Sequence, residues 1–90
     1  MIKIKLFANL QETVGQKIVE LDSPSTVREA LRELVSRHPS LEDEVFADDG
    51  SLHSHLNAFI DGRNVNTYDG LDTELQGDQV LTLFSPLGGG

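Results

Sequence analysis

The sequence contains no cysteine, which excludes a disulfide, a thiolate metal site and a cysteine nucleophile, so thiol chemistry involving this chain belongs to a partner. It has no apolar run near the roughly 20 residues that span a bilayer. Its opening, Met1-Ile2-Lys3-Ile4-Lys5, alternates where a signal peptide would be continuously apolar. Neither a membrane span nor export is expected, and the chain reads as cytoplasmic. Basic residues are scarce as well: seven Lys and Arg stand against 15 Asp and Glu, for a net charge of -8, and the only lysines are Lys3, Lys5 and Lys17. Phosphate backbones and anionic membranes would repel such a chain, whereas a basic groove on another protein would attract it. A lysine-poor, acidic surface also suits a halophilic cytosol, where salt screens self-repulsion. At 90 residues there is room for one modest core and no second domain.

What is present organises itself around that core. Ile2, Ile4 and Leu6 alternate with Lys3, Lys5 and Phe7, as in a strand with one buried face. Asn9 to Gln16 is polar, with Gly15 near its end, and reads as a longish loop into a second strand, Lys17 to Leu21, antiparallel to the first. Asp22-Ser23-Pro24-Ser25 breaks that strand. Thr26 with Glu29 three residues on has the form of a capping box, and Val27, Ala30, Leu31, Leu34 and Val35 give the helix one apolar face. Pro39 ends it, because the residue before a proline is pushed out of the helical region. Leu41 to Phe46 is expected to tack a short acidic segment to the core, and Asp48-Asp49-Gly50 to turn. This turn lacks the spaced ligands and closing Glu of a calcium loop. His53 and His55 would share one face of a strand without a third ligand nearby, and read as solvated histidines at a strand entrance; no metal site is expected.

Leu56 to Ile60 is the third strand, Asp61-Gly62 a hairpin signal, and a short fourth strand is expected around Val65. Tyr68 to Leu75 crosses over, with Leu71 and Leu75 plugging the bottom of the core. After a turn at Gly77-Asp78, Val80 to Phe84 forms the last strand, with Leu81 and Leu83 on one face and Thr82 and Phe84 on the other. One helix against a mixed sheet of four to five strands is a two-layer α+β fold. If the apolar first and last strands lie side by side at its centre, necessarily parallel, the arrangement is a β-grasp. Residues 1–87 form the domain and residues 88–90 a flexible glycine tail.

That tail is the chemical handle. Gly88, Gly89 and Gly90 follow Pro86 and Leu87 directly, and glycine has no Cβ, so such a segment can pass through a channel too narrow for any side chain and present a carboxylate to an enzyme. The chain itself has no Gly-x-Ser-x-Gly, no phosphate loop and no convincing carboxylate pair. It is therefore read as a participant in other enzymes' chemistry and not as an enzyme.

Lys3-Ile4-Lys5-Leu6-Phe7-Ala8, Ser25-Thr26-Val27-Arg28-Glu29-Ala30-Leu31, His55-Leu56-Asn57, the Gly62 hairpin, Gly77-Asp78 and Leu83-Phe84-Ser85-Pro86-Leu87-Gly88-Gly89-Gly90 together resemble the ubiquitin-like sulfur carriers and small modifiers. That family includes the molybdopterin synthase small subunit, the thiamine-pathway carrier and the small archaeal modifier proteins. Two departures stand out: Ser85 replaces a usual first proline, and Gly88 turns a diglycine into a triglycine. The resemblance implies that an adenylyltransferase resembling the ubiquitin-activating enzyme, using ATP and magnesium, activates the Gly90 carboxyl. Sulfur then makes a thiocarboxylate, or a lysine makes an isopeptide. It further implies docking through Phe84, Pro86 and Leu87, access through Gly88 and Gly89, and no cofactor bound by this chain. Partners would be the activating enzyme, a molybdopterin synthase large subunit and target-protein lysines, with Lys3, Lys5 and Lys17 as acceptors on this chain. Two alternatives remain open from the residues alone: Phe84 as a core aromatic, and the whole chain as a non-covalent β-grasp interaction module whose glycine tail is incidental.

Overall fold

β1 (Ile2–Leu6) buries Ile2, Ile4 and Leu6 and turns Lys3 and Lys5 to the other face. The computed structural model describes residues 1–22, 24–53 and 56–84. The segment expected to be a loop after β1 is instead a helix, α1 (Ala8–Val14). Its polar sequence conceals an apolar pair one turn apart: Leu10 is buried and Val14 packs partly against the core. Gly15 ends it in the left-handed conformation at φ 82°, its N–H donating to the Gln11 carbonyl at 2.8 Å. β2 (Ile18–Leu21) then pairs antiparallel with β1, Ile4 opposite Val19 and Ile2 opposite Leu21.

α2 (Val27–Arg37) begins as the capping residues predict. Thr26 Oγ1 accepts from the Glu29 N–H at 3.2 Å, while Glu29 Oε1 reaches back to the Ser25 N–H at 3.1 Å, one residue earlier than in the usual box. The Thr73 carbonyl accepts the Val27 N–H at 3.0 Å, so two of the helix's orphan donors are satisfied from the start. Val27, Ala30, Leu31 and Leu34 lie on the sheet. On the exposed face Arg37 pairs with Glu33 at 2.7 Å and Arg28 with Asp72 at 2.9 Å. His38, before Pro39, leaves the helical region at φ -133°, ψ 76°. A 3₁₀ turn and α3 (Glu42–Val45) follow, anchored by buried Leu41 and Val45 with Phe46 half-buried beside them.

β3 (Asn57–Ile60) begins one residue later than expected; Leu56 is buried just ahead of it, its N–H donating to the His53 carbonyl. His53 therefore lies outside the strand, and Ser54 and His55 fall outside the described residues. Asp61 and Gly62 both take positive φ, 53° and 80°, as a two-residue hairpin requires. β4 (Arg63–Asn64) is shorter than expected, and Val65 is not part of it. Asn64 Oδ1 accepts the Asn66 N–H at 2.9 Å and starts a 3₁₀ turn instead, whose first residue, Val65, plugs the core. The crossover makes another 3₁₀ turn at Gly70–Asp72 and delivers Leu75 to the core, with Leu71 half-buried.

β5 (Val80–Phe84) completes a five-stranded sheet of order β2-β1-β5-β3-β4, parallel to β1 and antiparallel to β3. The first and last strands do share the centre, and their register sets Ile4 opposite Leu81 and Leu6 opposite Leu83, so that their alternate apolar residues form one buried face. The fold is a β-grasp.

Candidate functional site

The end of β5 is the place from which the glycine tail would emerge. Leu81 and Leu83 are 0% exposed while Phe84, the next residue, is 42% exposed. A strand turns successive side chains to opposite faces, and this sheet has its helix on one face only, so Phe84 must stand on the open face. The core-aromatic alternative is excluded by that placement.

Pairing across the sheet gives Phe84 its neighbours. Asn57 is its partner on β3, which makes Phe59 its diagonal neighbour, and Phe59 in turn pairs with Thr82. Thr82 lies opposite Lys5, and Lys5 opposite Ile18, so Ile18, Lys5, Thr82 and Phe59 form one row across four strands. The Lys5 ammonium sits 5.5 Å from the centroid of Phe7. The result is a mixed aromatic and aliphatic strip with a cation, Lys5, within it. Lys3 and Lys5 lie on this face with Glu20 opposite Lys3, while most of the acidic excess lies in α3 and in the segments 43–49 and 69–78. The local surface is therefore not the acidic one that the whole-chain charge suggests.

Of the residues singled out in the sequence, Phe84, Lys3 and Lys5 share the open face, Lys5 opposite Thr82 and Lys3 opposite Val80 at the far end of β5; Lys3 is exposed and Lys5 half-buried. Lys17 is exposed, immediately ahead of the edge strand β2. Pro86, Leu87, Gly88, Gly89 and Gly90 lie outside the described residues. Ile18, Phe59 and Thr82 were missed as site residues, although their parity within each strand already set them on Phe84's face.

The 48–51 turn is held by its own acid. Asp49 accepts from the Ser51 hydroxyl at 2.6 Å and the Ser51 N–H at 3.0 Å, and the hydroxyl first, then the amide, lowers the carboxyl's pKa below the ordinary aspartate value. Among the described residues no group of three His, Cys, Asp or Glu is placed to hold a metal ion, and no helix is long and apolar enough to cross a membrane.

A family model, the ThiS family, matches residues 4–90. Small archaeal modifier protein 1 of Haloferax volcanii is 41% identical over 88 residues, covering 96% of this chain and 97% of that protein. Small archaeal modifier protein 3 of the same organism is 32% identical over 91 residues, covering 99% and 98%. The solution structure of small archaeal modifier protein 1 from Methanosarcina acetivorans superposes with a TM-score of 0.84 at 32% identity, over 99% of this chain and 95% of that one. With that match over nearly all of its length, on a β-grasp whose central strand ends in an exposed aromatic, the chain belongs to the ThiS family, among the ubiquitin-like sulfur carriers and small archaeal modifiers.

Proposed function

We propose that this ubiquitin-like carrier and modifier is activated at the carboxyl of Gly90 by an adenylate-forming partner enzyme in the cytoplasm. A carboxylate is a poor electrophile. Its oxygen attacks the α-phosphorus of ATP, pyrophosphate leaves, and the acyl-adenylate forms in the partner's site, where the partner and its magnesium stabilise the developing charge. This chain contributes the carboxyl and binds neither group itself. A sulfur nucleophile then displaces AMP to leave a thiocarboxylate, or a lysine amine displaces AMP, loses a proton and becomes an isopeptide. The acceptor amine belongs to a target protein or to Lys3, Lys5 or Lys17 of another copy. A molybdopterin synthase large subunit is one partner of the thiocarboxylate form, with a pterin as the sulfur acceptor; tRNA is the other acceptor class.

The observation that carries this reading is the exposed Phe84 at the last described position of the central strand. An aromatic anchor on the open face, with Phe59 diagonal to it, supports docking that directs Pro86, Leu87 and the glycines into a closed, water-excluding site. The test is incubation with ATP, magnesium and the matching activating enzyme. Pyrophosphate should be released, and with a sulfur donor the protein's mass should rise by the difference between sulfur and oxygen at Gly90. One bulky residue appended after Gly90 should stop the reaction. Equal adenylation of the extended protein, or modification mapped to an acidic side chain, would overturn the assignment in favour of a non-covalent interaction module.

A further inference from the structure

A cleft of about 590 Å³ opens between α2, residues 49–53 and 56–57, and Asn66 and Leu71 of the crossover. Its volume is that of a small-molecule site. Arg28 and Arg32 line one wall, one helical turn apart and so on the same face of α2; Leu52, Leu56 and Leu71 supply an apolar surface, and Asn66 supplies an amide. From this arrangement we infer that the cleft binds a small organic phosphate, its dianionic head between the Arg28 and Arg32 guanidiniums and its organic part on the leucines.

Three observations favour this ligand. Arg32 has no carboxylate within ion-pair distance among the described residues, in a chain with 15 acidic groups; its neighbour is the Phe46 ring, 5.5 Å from the guanidinium carbon to the centroid. An aromatic face steadies a guanidinium yet accepts none of its five N–H donors in the way an oxyanion does. Among the described residues Arg28 has a single ion-pair contact, Nη2 to Asp72 at 2.9 Å, and that aspartate's side chain is 76% exposed, so a ligand oxygen can share or replace it at small cost. The acid on the cleft wall, Asp49, is committed to its own turn through Ser51. Two adjacent forks match a dianion with three terminal oxygens better than a monocarboxylate, which one fork satisfies. The overall negative charge does not forbid this. At physiological salt the screening length is about 8 Å, so distant carboxylates are damped while direct guanidinium contacts are not.

The test is an amide and arginine side-chain NMR titration of the full chain with phenyl phosphate at constant ionic strength, set against benzoate, inorganic phosphate and sodium chloride. Saturable shifts are expected at Arg28, Arg32, Ser51, His53 and Asn66 with phenyl phosphate, and weaker binding at the same residues with inorganic phosphate. Arg32→Gln should weaken phenyl phosphate at least about tenfold, and Arg28→Gln should weaken it too. Arg63→Gln, an equal loss of charge on β4, should leave it unchanged. Retained dispersion in the spectra shows that each variant is folded. No saturation, equal affinity for benzoate, or equal weakening by Arg63→Gln and Arg32→Gln would overturn the site.

Discussion

Leu83 and Phe84 are adjacent in β5, and replacing each with alanine should produce opposite phenotypes. Leu83 is 0% exposed, so its truncation removes core contacts and leaves a cavity that the surrounding helix and sheet only partly fill, at about 2–5 kcal/mol. Phe84 is 42% exposed. An aromatic residue buries at most roughly 150–250 Å², and here only about half of that is covered. At ~25 cal/mol per Å², and with the backbone and Cβ cover retained by alanine, truncation should cost about 1 kcal/mol. For a domain of this size about 1 kcal/mol is a Tm shift of roughly 4–8 °C. Denaturant unfolding should therefore rank Leu83→Ala as the more damaging by at least about twofold. Binding should rank them the other way among molecules still folded. Phe84→Ala should weaken capture by the activating enzyme by about 2 kcal/mol, roughly thirtyfold, if the ring is a central anchor, while folded Leu83→Ala should bind nearly as the native protein does. A Phe84→Ala variant as unstable as Leu83→Ala, or one that binds its partner at native affinity, would refute the exposed-anchor reading.

Thr26→Ala should destabilise the fold by about 1 kcal/mol by leaving the Glu29 N–H without its cap, measurable by urea unfolding, and Thr26→Ser should recover most of that loss. Ser51→Ala should raise the Asp49 pKa, read from its carboxyl carbon by NMR. Because the folded value is the lowered one, the stabilisation that this interaction gives is present above the ordinary aspartate range and lost as pH falls through the folded value, so the native and variant proteins should converge in stability at low pH. With 15 acidic groups against seven basic ones, the melting temperature should rise as salt is added over the range in which like charges are screened. A flat or falling trend in calorimetry would remove the case for a halophilic setting.

The sequence alone determined the elements whose cause is local. Alternation in Ile2-Lys3-Ile4-Lys5-Leu6 and in Val80 to Phe84, the Thr26 cap and the Asp61-Gly62 turn each act within a few residues, so their signals are complete in the chain. α1 was missed because its signal is only Leu10 and Val14 within polar residues; such a short helix is held by the core it touches and not by its own propensity. β4 was misplaced because the Asn64 side chain ends it by accepting the Asn66 N–H, a competition that apolar periodicity does not register. Parity could put Phe84 opposite Leu83, but which of the two faces is covered was decided only when a single helical layer packed on one side. The same holds for the neighbours: Ile18, Lys5, Thr82 and Phe59 come from four strands and meet through pairing register, and Arg28 and Arg32 share a cleft with Leu52, Asn66 and Leu71 only through the packing of α2 against those segments. Pairing register and layer packing are relations between distant segments, so the site took shape in the tertiary structure from residues whose individual orientations the sequence had already constrained.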